Sequence, residues 1–97
     1  MKIAVLGAGM VGRAIALDLA KDYTVTSFDL NSTNLDELKK RNGSVQTVPA
    51  DLSQFEEYKN WLSTFDIVVT AVPGFMGYKT LEAVINAGKN VVDISFF

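Results

Sequence analysis

Three glycines at the spacing G-x-G-x-x-G, Gly7, Gly9 and Gly12, stand directly after a short apolar run (residues 2–6) and directly before an Ala/Leu-rich stretch of helical periodicity (residues 10–21). The glycine spacing alone arises by chance in many chains. A strand before it, a helix after it and an acid about 20 residues further on are jointly far more demanding. Asp29 supplies the acid, just beyond the second apolar run, residues 23–28. The combination points to a strand–turn–helix–strand unit whose turn is shaped to receive a diphosphate.

Each glycine meets a separate physical need. Gly7 permits the tight turn out of the strand, Gly9 has no Cβ and lets the backbone approach a pyrophosphate, and Gly12 lets the helix lie close on the sheet. The phosphates would meet backbone N–H groups at the positive end of the helix dipole. Asp29 would accept hydrogen bonds from the adenosine ribose hydroxyls and repel a 2′-phosphate. No Lys or Arg follows it until Lys39, so the expected coenzyme is NAD, with NADP second. The plainer reading, glycines that only make a turn and an Asp that only caps a helix, does not account for the joint spacing.

At 97 residues the chain has room for one domain with an adequate core. Hydrophobic residues at 48% against 21% charged describe an ordinary soluble globular protein. A net charge of −2 offers no basic footprint for nucleic acid. The chain has no cysteine and no histidine, which excludes disulfides, thiolate sites, histidine–zinc sites and a histidine-based triad. No metal ligand is therefore expected within it. The apolar start superficially resembles a signal peptide, but Arg13 and Asp18 interrupt it and it is too short to span a bilayer. A cytoplasmic chain without membrane anchor is expected.

Apolar runs of strand length alternate with amphipathic stretches of helical length, the signature of βαβ units. Strands are expected at residues 2–6, 23–28, 44–48, 66–72 and 90–95, and helices at 10–21, 32–43, 53–63 and 78–87. The first helix has a slim face of Ala16, Leu19 and Ala20. The second takes Ser32 or Thr33 as its cap and ends at Gly43. Pro49 stops the third strand; Phe55, Tyr58 and Leu62 share one side of the third helix; Leu81, Val84 and Ile85 share a face of the fourth, which Gly88 closes. Right-handed crossovers in this order predict an α/β fold of the Rossmann type, a doubly wound parallel sheet of order 3-2-1-4-5 with an incomplete second half. The ligand crevice then falls between strands one and four.

Other positions share that rim. Asp51 could bond the exocyclic amine of adenine and Leu52 cover its ring face, although Asp51 or Ser53 could equally cap a helix. Ala71, Val72 and Pro73 follow the fourth strand, where the diphosphate and nicotinamide ribose would pass. Phe75 and Met76, two large apolar groups in a loop, should cover the cofactor or another domain. Arg13 could reach a phosphate, although a solvated surface arginine is commoner. Asp93, in an apolar strand, needs partners. The expected cofactor-binding set is Gly7, Ala8, Gly9, Met10, Val11, Gly12, Asp29, Leu30, Asp51, Leu52, Ala71, Val72 and Pro73.

The whole chain resembles the N-terminal cofactor domain of the saccharopine dehydrogenase superfamily, through Gly7 to Gly12, Asp29, residues 50–53, Ala71 to Pro73 and residues 87–94. The resemblance implies a parent enzyme moving a hydride between a nicotinamide cofactor and an amino-acid or imine substrate, with a substrate and dimerisation domain and a homo-oligomeric assembly. By that comparison residues 1–97 are a fragment that binds but does not turn over, its end at Ile94 to Phe97 leaving two phenylalanines to be covered. The rival is a ligand-sensing module of the kind that gates potassium channels and transporters. Against it, Asp51 and Pro73 to Met76 stand where such modules carry other turns. A third option is a dinucleotide fold that has lost its affinity and serves only as an interface.

Overall fold

In the computed structural model, residues 1–94 are described. Five strands form one parallel sheet of order β3-β2-β1-β4-β5, namely β1 (Lys2–Leu6), β2 (Thr24–Asp29), β3 (Gln46–Pro49), β4 (Ile67–Thr70) and β5 (Asn90–Asp93). The helices are α1 (Met10–Leu19), α2 (Ser32–Arg41), α3 (Tyr58–Trp61), entered through a 3-10 turn at Phe55–Glu57, and α4 (Gly74–Asn86). The expected order and fold class stand.

The central strand explains the layering. β1 is buried along four of its five residues, as a strand covered on both faces must be. Ile3 and Val5 point to one side, where they pack with Val25, Ala16 of α1, Leu38 of α2 and Val45. Ala4 and Leu6 point to the other, into a core with Phe28, Tyr58, Leu62, Val68 and Val84 of α4. An aromatic group thickens this second side: Phe28 meets Phe65 edge-on at 5.8 Å and Trp61 at 6.3 Å between ring centroids.

The direction of the chain changes at β1. β2 pairs along one edge, Leu6 opposite Phe28, and β4 along the other, Leu6 opposite Thr70. Loops leaving β1 and β4 therefore part from each other at their carboxyl ends and leave a crevice between them.

Element ends differ from the sequence expectation for physical reasons. α1 stops at Leu19, because the N–H of Tyr23 bonds back to Leu19 and turns the chain. Asn31, not Ser32 or Thr33, caps α2, its Oδ1 accepting the N–H of Asn34 at 3.1 Å. Pro49 closes β3 rather than standing outside it, which an edge strand tolerates. The helix expected at 53–63 is split, because residues 51–54 form a turn, Gln54 N–H to Asp51 O at 3.0 Å. α4 begins at Gly74, four residues before the expected start, with Pro73 at its N-cap. Phe75 and Met76 thus belong to its first turn and not to a loop. Ile85, expected on the buried face, is exposed, while Val84 is fully buried. Ser95, Phe96 and Phe97, expected to finish β5 and to seek cover, lie outside the described residues.

Candidate functional site

The glycine turn is built as the residue types demand. Gly7 has φ +104°, a region closed to ordinary side chains, and its N–H bonds to Phe28 O at 2.8 Å. A Cβ on Gly7 would run into the Ala71 carbonyl, and one on Gly12 into the Gly7 carbonyl. These two glycines let the loop, α1 and the end of β4 close on one another. Gly9 differs: φ is an ordinary −66° and nothing lies within 4 Å of where its Cβ would stand. Open space at that point is what an approaching ligand needs and what the fold alone does not.

Gly9 is the N-cap of α1, and no side chain caps the helix. Its first-turn N–H groups are left without an intrahelical partner. Asp29 stands beside them at the end of β2. Its Oδ2 accepts the N–H of Ala8 at 2.6 Å, and its Oδ1 accepts the N–H of Asn31 at 2.7 Å. The carboxylate therefore ties the glycine turn to the β2–α2 turn. Arg13 reaches the same two turns, its Nη1 donating to Ala8 O at 3.1 Å and to Asn34 Oδ1 at 2.9 Å.

At the carboxyl end of β3, Asp51 Oδ1 accepts both the N–H of Ser53, 3.0 Å, and its hydroxyl, 2.6 Å. Those bonds, the hydroxyl's first, hold the Asp51 carboxyl below its ordinary pKa. Below this turn, the Tyr58 hydroxyl donates to the Leu52 carbonyl at 2.8 Å. Burial pushes its pKa up, so it stays a neutral donor.

These pieces surround a cavity of about 550 Å³. Gly7, Gly9, Met10, Val11 and Gly12 line one wall, Asp29, Leu30, Asp51 and Leu52 a second, and Ala71, Val72 and Pro73 the third. Of the expected set only Ala8 does not line it; Ala8 is fully buried behind the wall and acts through its backbone. Met10, Val11 and Leu30 are apolar yet at least half exposed, 80% for Met10. Asn31, Asn34, Ser53, Met76 and Ile94 also line the cavity and were not in that set. Met76, expected with Phe75 to cover the cofactor or another domain, does line the cavity; for Asn31 and Asn34 the only sequence signal was their place just after the acid. Phe75 is 87% exposed and covers nothing among the described residues. Asp93 finds its partner across the sheet, its Oδ1 accepting the Thr70 hydroxyl at 2.6 Å.

A second cavity, about 580 Å³, lies between α3 and α4 and is lined by Phe55, Lys59, Lys79 and Glu82 among others. It contains no residue of the glycine motif. Among the described residues no cluster of three His, Cys, Asp or Glu could hold a metal ion. The chemistry at the first cavity is that of binding: amide donors, one carboxylate at the carboxyl end of each of β2 and β3, and apolar walls.

A family described as "Saccharopine dehydrogenase NADP binding domain" matches residues 3–96. A UDP-N-acetyl-D-glucosamine 6-dehydrogenase of Pseudomonas aeruginosa is 34% identical over 67 residues, 69% of this chain and 15% of that protein. Among solved structures, the saccharopine dehydrogenase (L-Glu forming) of Saccharomyces cerevisiae superposes with a TM-score of 0.82 at 22% identity, covering 99% of this chain and 22% of that one. A UDP-N-acetylglucosamine 3-dehydrogenase of Acidithiobacillus ferrooxidans gives 0.76 at 21% identity, covering 96% and 28%. A short-chain dehydrogenase/reductase of Veillonella parvula in complex with NADP gives 0.70 at 15% identity, covering 95% and 46%. At those identities the structures speak for the fold alone, and the chain spans less than half of each.

Proposed function

Since the chain belongs to the family of saccharopine dehydrogenase NADP-binding domains, we propose that its glycine-lined cavity holds a nicotinamide dinucleotide extended across the carboxyl ends of β4, β1, β2 and β3. The diphosphate lies over Gly9 and the uncapped start of α1. The adenosine ribose bonds to Asp29, adenine rests on Leu52 beside Asp51, and the nicotinamide half follows Ala71, Val72 and Pro73. Met10, Val11 and Leu30 are covered when it binds. The observation that carries this reading is the open space at Gly9, beside two glycines that the fold itself requires.

The comparisons favour NADP over the NAD expected from Asp29: the family carries NADP in its description, and the Veillonella parvula structure holds it. Asp29 opposes that choice by charge. Both its oxygens already accept backbone N–H groups, however, and this draws the carboxylate toward the two turns. We propose that the cavity takes either coenzyme, NADP included. None of the similar proteins named above is a channel or transporter module, and the sensing alternative has no support.

When bound, the coenzyme supplies the hydride chemistry; this chain holds and orients it. The substrate, an amino acid or imine, and the acid–base groups belong in this proposal to the parts of the parent enzyme that these residues do not match, as do its oligomeric assembly and cytoplasmic placement. No described helix is long and apolar enough to cross a membrane. Titration calorimetry of the chain with NAD and NADP, oxidised and reduced, tests the reading: heat of binding with both is expected, and silence with all four ends it.

A further inference from the structure

Arg13 occupies a position that the dinucleotide reading leaves without a task. Ala8 gives its N–H to the Asp29 carboxylate and its carbonyl to the Arg13 guanidinium, so one residue separates a negative from a positive side chain. The two do not pair with each other, and among the described residues Arg13 forms no ion pair at all. Its second partner is neutral, the Oδ1 of Asn34, which leaves its charge uncancelled. Only Nη1 is engaged; the donors at Nη2 and Nε make no hydrogen bond among the described residues. Asn34 itself lines the cavity, which puts the guanidinium one hydrogen bond behind the wall.

Several other cations are bonded elsewhere. Lys39, the first basic residue after Asp29, turns its ammonium to Val45 O at 2.8 Å. Lys89 bonds to the carbonyls of Ser63 and Phe65, and Lys21 to Asp18. Among the described residues no other Lys or Arg is hydrogen-bonded to a residue lining the glycine cavity.

We propose that Arg13 is the specificity-determining residue that admits a 2′-phosphate beside Asp29, exchanging Asn34 for the phosphate when the phosphorylated coenzyme binds. The proposal rests on the dinucleotide reading and deepens it. A phosphate monoester is nearly a dianion at neutral pH and is repelled by Asp29. A planar guanidinium with unused donors meets such a group with two parallel hydrogen bonds, which a neutral ribose hydroxyl does not call for. With NAD the guanidinium keeps Asn34 and the carboxylate takes the ribose, so one cavity accommodates both ends without rebuilding the backbone.

Adenosine 2′,5′-bisphosphate and 5′-AMP isolate that end of the coenzyme, and their affinities are measured for the wild-type chain, Arg13→Ala and Asn34→Asp. The second variant places a carboxylate against the guanidinium, in the first turn of α2 where an acid favours the helix, so folding is preserved while the cation is neutralised. Both variants should bind the bisphosphate about tenfold or more weakly, while for Arg13→Ala, whose side chain lies behind the cavity wall, 5′-AMP changes by less than about twofold. An equal loss for both probes, or no loss for either, overturns the assignment while leaving the dinucleotide reading intact. A wild-type chain that binds neither probe nor NAD overturns that reading and the assignment with it.

Discussion

Gly9 and Gly12 belong to one motif but answer to different demands, and a methyl group separates them. At Gly12 the added Cβ meets a backbone carbonyl that cannot step aside. Gly12→Ala should cost about 1–3 kcal/mol of overpacking, read as a lower denaturation midpoint without any ligand present. At Gly9 the same methyl enters empty space on a backbone that alanine adopts freely. Gly9→Ala should stay within about 1 kcal/mol of the wild type, the poorer cap offset by a less flexible unfolded chain, yet lose about tenfold or more in coenzyme affinity because the methyl fills the diphosphate's place. If the two variants lose stability alike, Gly9 is structural and the open space has no ligand to explain it. Tyr58 makes a parallel case in the core. Tyr58→Phe keeps the ring stack with Trp61 at 5.7 Å but strands the buried Leu52 carbonyl. It should cost about 1–3 kcal/mol in chemical denaturation, and a neutral result would mean that water replaces the hydroxyl.

Elements were legible where one physical cause dominates and blurred where two compete. β1 and the glycine turn are legible directly, because a continuous apolar run followed by G-x-G-x-x-G admits few alternatives, and the φ of +104° at Gly7 agrees with it. α4 starts earlier than its sequence suggests, since Pro73 and Gly74 read as loop punctuation although Pro73 serves as the helix N-cap. Phe55, Tyr58 and Leu62 keep helical spacing and so suggest one continuous third helix; the Asp51–Ser53 turn that breaks its start is a side-chain effect that periodicity does not register. Asn34 is not legible as a cavity residue because its role as guanidinium partner depends on α1 lying beside α2; the Asn31 cap is local, but Ser32 and Thr33 next to it are caps of equal merit. The cap is testable by itself. Asn31→Ala removes the acceptor for the Asn34 N–H and should destabilise by about 1 kcal/mol. In a domain of this size that lowers the melting temperature by about 4–8 °C. The Asp51 turn adds a pH signature. Its carboxyl is held below the ordinary value of 3.8, so whatever it contributes is present above that value and is lost as pH falls through the lowered one. Asp51→Asn should remove that contribution at neutral pH, flatten the acid limb of the stability curve, and leave stability below the lowered pKa unchanged.

At the scale of the molecule, the sheet order brings four loop ends to one rim, so a ligand lying across them touches nearly every element. The chain has a Cα radius of gyration of 11.9 Å, about that of a compact domain of 100 residues, and a core split over two faces of a single sheet. Small domains are stable by about 5–15 kcal/mol, so binding energy is not small beside that. A ligand that binds only the folded form at 100 times its dissociation constant adds about 2.7 kcal/mol. For a domain of this size that raises the melting temperature by about 10–20 °C. Melting the chain against increasing NAD or NADP should show that rise, growing with the logarithm of concentration, and Gly9→Ala should melt within about 8 °C of the wild type without ligand yet rise far less with it. This pairing separates the two surviving whole-molecule readings. A fold that keeps the motif as scaffolding while serving as an interface has the same unliganded melting point but gains nothing from either coenzyme. Such a flat response would leave the exposed Met10, Val11 and Leu30 to be explained by another protein surface and not by a dinucleotide.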